Sequence, residues 1–334
     1  MNVFNKNPDK KNLPMVTNGY ISLQNQGMAD TLPRLEEKPF YLKLIFLGMI
    51  LLAGFLLISL LSVLILIPFY GTDVLHSLMN PEDPENTGLL KYLQIMNQVG
   101  LFIVPSLVFA WMYNRRTLGY LNLHRKPGMG ILALSVLLIA SMLPFLNFLV
   151  EWNEGIDLPD FLDGLEKWMR QSEEQAKKLT EIFLGTGSLS GFLVNFLMIA
   201  VLAALGEELF FRGILINLFL DLKSNRHLAV WISAILFSAL HLQFYGFFPR
   251  MILGVIFGYL YVWTFNLWVP VILHLLFNGI TVVVAYLYNI GSISTDPESF
   301  GSATNPFVII FSLAISLFLF GVIRQRALTK KGDV

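Results

Sequence analysis

Long apolar stretches that exclude charge constrain this chain more than any other feature. They fall near 44–69, 93–113, 129–150, 191–220, 251–289 and 306–323, and a bilayer-spanning helix needs about 17–25 such residues. The block 251–289 is too long for one crossing, and Asn266 with Pro270 marks a turn dividing it into 251–266 and 267–289. A shorter, nearly all-apolar stretch at 228–242 completes the set. The predicted fold is therefore all-α, a polytopic membrane bundle of about eight transmembrane helices. Hydrophobic residues make up 55% of the 334 residues and charged ones 14%, against roughly 25% charged in a soluble domain. A mean hydropathy of +0.63 agrees. The 23 basic and 23 acidic side chains cancel, which excludes a strongly basic nucleic-acid binder, and the apolar content excludes disorder.

Of all those charges, only Glu207, Glu208 and Arg212 fall within the eight segments. A charge at the bilayer centre costs on the order of 2.5–3.5 kcal/mol or more, so three together point to a site. His241 and His274 also lie in apolar segments, whereas His76, His124 and His227 read as loop residues. With no cysteine, disulfides, a thiolate nucleophile and Cys-ligated metals are excluded.

Residues 1–40 form a polar tail without the apolar region of a signal peptide, and 324–334 form a basic tail after the transmembrane domain 41–323. Lys and Arg gather before 44, at 115–126 and after 323, while Lys91 alone occupies the first loop. Eight crossings then place both termini in the cytoplasm of a multi-pass integral membrane protein. The acidic loop 151–190 carries nine acidic and four basic residues, which puts it outside. Leu158, Phe161, Leu162, Leu165, Trp168, Met169, Ala176, Leu179 and Phe183 recur there at helical spacing. This predicts an amphipathic helix on the outer membrane surface, either a connector or a substrate-capturing lid.

The run 206–213 reads Gly-Glu-Glu-Leu-Phe-Phe-Arg-Gly. On a helix Glu208 and Arg212 are i,i+4 neighbours and pair, while Glu207 points about 100° away. That leaves Glu207 to face a polar cavity as a general base. Phe237 and His241 share a helix face, as do His274 and Asn278. Converged, these residues suit hydrolysis in two ways. Glu207 and His241 activate a water while His274 and Asn278 stabilise the oxyanion, or Glu207, His241 and His274 hold zinc or another divalent metal that activates it. Asn97, Gln98, Asn147, Asn195 and Asn217 read as packing groups between helices. A proton- or ion-coupled transporter is the alternative class, since buried Glu, His and Arg also build proton relays. Paired transporter halves would require a counterpart in residues 41–150, and there is none.

Glu207-Glu208-Leu-Phe-Phe-Arg212, Phe237-Ser-Ala-Leu-His241 and His274-Leu-Leu-Phe-Asn278 fit EExxxR, FxxxH and HxxxN in order. In this the chain resembles the CAAX protease and bacteriocin-processing (CPBP, or Abi) family, which includes the type II CAAX prenyl endopeptidases. The resemblance covers about residues 190–290. It implies a membrane-embedded endopeptidase, with a peptide or protein substrate presented at the lipid bilayer and no nucleic acid. It also implies Glu207, His241, His274 and Asn278 as catalytic residues, with Glu208 and Arg212 in support. The family is often labelled as metalloproteases, yet its prenyl endopeptidases are also described as metal-independent glutamate proteases. A metal-free site in the plasma membrane of a prokaryote is the expectation.

Overall fold

The computed structural model of the protein describes residues 34–71, 86–222 and 225–332, and these form only helices and their connections. The longer helices are α1 (Phe40–Tyr70), α2 (Thr87–Tyr113), α3 (Met129–Glu154), α4 (Asp163–Leu184) and α5 (Leu189–Asp221). After them come α6 (Arg226–Ala239), α7 (Phe247–Thr264), α8 (Trp268–Asn289) and α9 (Pro306–Gly332). Residues 1–33 of the polar tail, His76 and residues 333–334 lie outside the described residues.

Seven of these helices, all but α4 and α6, are long and apolar enough to cross a membrane. The chain is an all-α, polytopic integral membrane protein. The eighth expected crossing is α6, with only 14 residues, or about 21 Å at 1.5 Å per residue. It falls short of the roughly 30 Å hydrocarbon core. His241 is accordingly not on the helix but in the turn just after it, and His227 lies in the first turn of α6 rather than in a loop. The divide in 251–289 falls at Phe265, whose left-handed φ of 45° ends α7 before α8 restarts at Trp268.

Two other boundaries move. Helix α2 begins early enough to include Lys91, which is buried in it rather than placed in a loop. Helix α9 continues through the basic residues 324–332, since nothing after Ile323 breaks the helical backbone. The acidic segment does form an amphipathic helix, α4, with no buried residue and with Phe161, Leu165 and Trp168 exposed around its start.

Helix α5 is the centre of the bundle. Every residue from Leu209 to Ile216 is buried, packed by apolar side chains of α1, α2, α6 and α7. A second apolar cluster joins α3, α7, α8 and α9. Helix α1, by contrast, has large apolar side chains exposed along its length, the surface expected where a helix meets lipid. At 33 residues, α5 exceeds the bilayer core at about 50 Å. It contains two wide π-turn stretches, Phe196–Leu202 and Leu209–Ile216, on either side of Ala203–Glu208. Such wide turns reset the facing of side chains and recur at functional sites.

Candidate active site

The paired acidic residues sit where α5 is most enclosed. Glu208 and Arg212, one turn apart, form an ion pair at 2.7 Å with both side chains wholly inaccessible. The guanidinium also donates to the Gly254 carbonyl of α7 at 3.0 Å. It lies over the rings of Phe237 and Phe257, at 4.9 and 5.5 Å. An Arg at this depth is tolerable because anion, carbonyl and aromatic faces replace its water. Gly254 makes room for this, since a Cβ there would lie 3.1 Å from Ala234 Cα of α6.

Glu208 has a second partner. His274 of α8 donates from Nδ1 to Glu208 Oε1 at 2.9 Å. Nε2 is left for other work, and it lies 3.8 Å from Glu207 Oε2. A carboxylate oxygen fixing one ring nitrogen orients the imidazole and decides which nitrogen carries the first proton. His241 is held similarly, its Nδ1 donating to the Phe237 carbonyl at 2.7 Å. The Phe237 ring packs edge-on against both histidines, with centroids 5.0 and 5.9 Å away. The motif phenylalanine thus touches Arg212 and both imidazoles.

Glu207, His241, His274 and Asn278 line one cavity of about 220 Å³, walled in part by Phe237 and Phe257. The sequence-predicted residues therefore come together from α5, the α6–α7 turn and α8. Asn278 has one amide N–H committed to the Ile199 carbonyl of α5 at 3.0 Å. An amide has two such donors, so one remains. Among the described residues no three His, Asp or Glu side chains are grouped closely enough to hold a metal ion.

Two residues of the site escaped the sequence reading. Arg250, in the first turn of α7, lines the same cavity. Its guanidinium is fixed by the carbonyl of Gln243 at 3.1 Å and the side-chain oxygen of Gln243 at 2.6 Å. In sequence it sits at the margin of an apolar stretch, where a basic residue reads as a membrane-edge anchor. Gln98 of α2 donates to Glu207 Oε1 at 3.4 Å, although it reads as a packing group. The asparagines behave as expected: Asn195 ties α5 to the Phe183 carbonyl of α4, and Asn217 ties it to the Tyr120 carbonyl.

Helix α4 clasps the turn that carries His241. Trp168 packs on Phe244 with centroids 5.0 Å apart, and Arg170 lies over the Tyr245 ring at 5.1 Å. The Tyr245 amide donates to Glu173 at 3.2 Å. Burial pushes the Glu173 carboxyl above its ordinary value, a rise that this backbone donor partly offsets. From α3, Asn153 donates to the Phe244 and Tyr245 carbonyls.

Residues 189–280 match the family model described as Type II CAAX prenyl endopeptidase Rce1-like. The chain is 33% identical over 123 residues to the membrane-embedded CAAX protease MroQ of Staphylococcus aureus (strain USA300), covering 35% of this chain and 46% of that protein. It is 27% identical over 90 residues to the uncharacterized protein YpbD of Bacillus subtilis (strain 168), covering 26% and 43%. The chain thus spans less than half the length of either relative. No solved structure matches it.

Proposed function

From the premise that residues 189–280 place this chain in the CAAX protease (CPBP) family, we propose that it is a membrane-embedded endopeptidase. Its substrate is a peptide or protein presented at the bilayer, of CAAX type or another processed peptide. The observation that carries this reading is the single cavity shared by Glu207, His241, His274 and Asn278.

The chemistry follows from which atoms remain uncommitted. With Nδ1 tied to Phe237, His241 offers the lone pair of Nε2, and Glu207 offers a carboxylate oxygen beside it in the cavity. A water between them loses a proton to this pair, and its oxygen attacks the peptide carbonyl. The oxyanion that forms is met by the second N–H of Asn278 and by Nε2–H of His274. Because Nδ1 of His274 is already a donor to Glu208, Nε2 donates only from the imidazolium. The base returns its proton to the departing amine, closing the cycle.

This route is metal-free. Glu207, His241, His274 and Asn278 supply every group it uses, and the zinc-assisted alternative is separated from it by the chelator test below. Lys/Arg clustering before residue 44, at 115–126 and at 324–331 supports cytoplasmic termini, an arrangement that requires short α6 with its following turn to act as an eighth crossing, and the bacterial relatives support a prokaryotic plasma membrane.

The test is cleavage of a prenylated CAAX peptide and of an unmodified membrane peptide by purified wild type, Glu207→Gln, His241→Ala and His274→Ala. Cleavage by the wild type alone is expected, and equal rates in all four proteins refute the assignment. Loss of activity in chelator with recovery in zinc refutes the metal-free route.

A further inference from the structure

Glu207 is approached from two sides. One carboxylate oxygen, Oε2, faces His274 Nε2 at 3.8 Å. The other, Oε1, takes an N–H from Gln98 at 3.4 Å. Gln98 stands on α2, outside the family-matched residues 189–280, and it does not line the cavity. Whatever it does for the reaction, it does through Glu207.

Its placement is built into the backbone. Between α1 and α2, a Cβ on Gly54 would lie 2.7 Å from the Gly100 carbonyl, and a Cβ on Gly100 would lie 2.9 Å from Ile58 Cβ. Between α2 and α5, a Cβ on Gly206 would lie 3.1 Å from Phe102 Cβ and 3.7 Å from Gln98 Oε1. Three glycines thus let α1 press α2 onto α5 at the residue before Glu207. Gln98 is also the last residue before a wide π-turn, Val99–Ile103, followed by Pro105. Proline has no N–H to donate to the preceding turn, and the widened turn accommodates it while re-aiming its neighbours.

The other end of the amide is informative. Gln98 Oε1 is buried and, among the described residues, has no hydrogen-bond partner. A half-satisfied buried amide is a poor packing element, and an apolar side chain would fill the space at lower cost. Turning the amide over would set its oxygen against the carboxylate oxygen of Glu207. The orientation is the one that keeps a donor on Glu207.

We propose that Gln98 is a positioning residue for the hydrolysis, holding Glu207 by Oε1 so that Oε2 is presented to the cavity and His274. This rests on the endopeptidase reading above. Steady-state cleavage of the same peptides tests it. Gln98→Leu is expected to lower kcat at least tenfold with KM within twofold, at an unchanged unfolding temperature. A kcat for Gln98→Leu within twofold of wild type overturns the proposal, as does a rise in KM that accounts for the whole loss.

A second comparison does not depend on activity. Gln98→Glu sets two carboxylates together and is expected to lower the unfolding temperature. Adding Glu207→Gln restores a donor–acceptor pair in the reverse sense and is expected to raise the temperature again. An equal effect of Gln98→Glu in both backgrounds overturns the contact. If wild type cleaves neither peptide, the endopeptidase reading fails and the catalytic role of Gln98 with it. If wild type cleaves and Gln98→Leu matches it, only the role of Gln98 fails.

Discussion

The buried pair of Glu208 and Arg212 gives a prediction whose size follows from the structure. Arg212→Met keeps an unbranched stem as far as the Nε position, but it deletes the guanidinium charge and three interactions. Glu208 loses its partner at 2.7 Å, the Gly254 carbonyl loses a donor at 3.0 Å, and the aromatic faces lose a cation. Removing one partner of a fully buried pair typically costs about 3–5 kcal/mol, because the remaining charge is left uncompensated. Here His274 stays within 2.9 Å of Glu208, and an unfolded state in detergent also supplies polar partners. Both effects favour the lower end, about 3 kcal/mol. The double variant Arg212→Met/Glu208→Gln removes both charges and keeps an acceptor for His274. It is expected to recover about 2 kcal/mol relative to the sum of the single changes, the scale of coupling between residues in contact. Equilibrium unfolding in mixed micelles, followed by tryptophan fluorescence, measures all four proteins. A loss below about 1 kcal/mol for Arg212→Met, or strict additivity in the cycle, would refute the reasoning.

Other outcomes are expected from neighbouring features. Asn278→Ala should lower kcat by about 10²–10³, the scale of one oxyanion donor, and should cost about 1 kcal/mol of stability through the lost bond to Ile199. Gly254→Ala should destabilise by about 1–3 kcal/mol, since the new Cβ meets a backbone atom that cannot swing aside; thermal unfolding reads this directly. The clasp of α4 should weaken as pH rises above the ordinary carboxylate value. Burial raises the Glu173 carboxyl, so in that window the docked state holds a proton that the undocked state has lost, and rising pH favours undocking. Hydrogen exchange at the Tyr245 amide, which donates to Glu173, should speed up across that window in wild type and stay level in Glu173→Gln.

Much of this was legible in the residues because lipid punishes misplaced charge. The apolar runs marked eight crossings, seven of which are helices long enough to span, and the three charges among them marked α5. Helical spacing alone joined Glu208 to Arg212, a contact that needs only one turn of backbone. The amphipathic period of 151–190 announced α4. Boundaries were less legible. Lys91 and the basic residues after Ile323 look like loop markers, yet a helix continues through them wherever its backbone bonds continue.

What the chain by itself determined was therefore local: which segments enter the membrane and which side chains share a helix face. What only the tertiary structure decided was which faces meet. Nothing in sequence relates Gln98 to Glu207, or brings Arg250 to the cavity that His274 lines, because those placements depend on helices packing through Gly54, Gly100, Gly206 and Gly254. Glycine contacts are invisible to periodicity, since a residue without a side chain adds nothing to an apolar pattern. They nevertheless set how closely two backbones approach, and so which polar groups come within hydrogen-bond reach of the carboxylate.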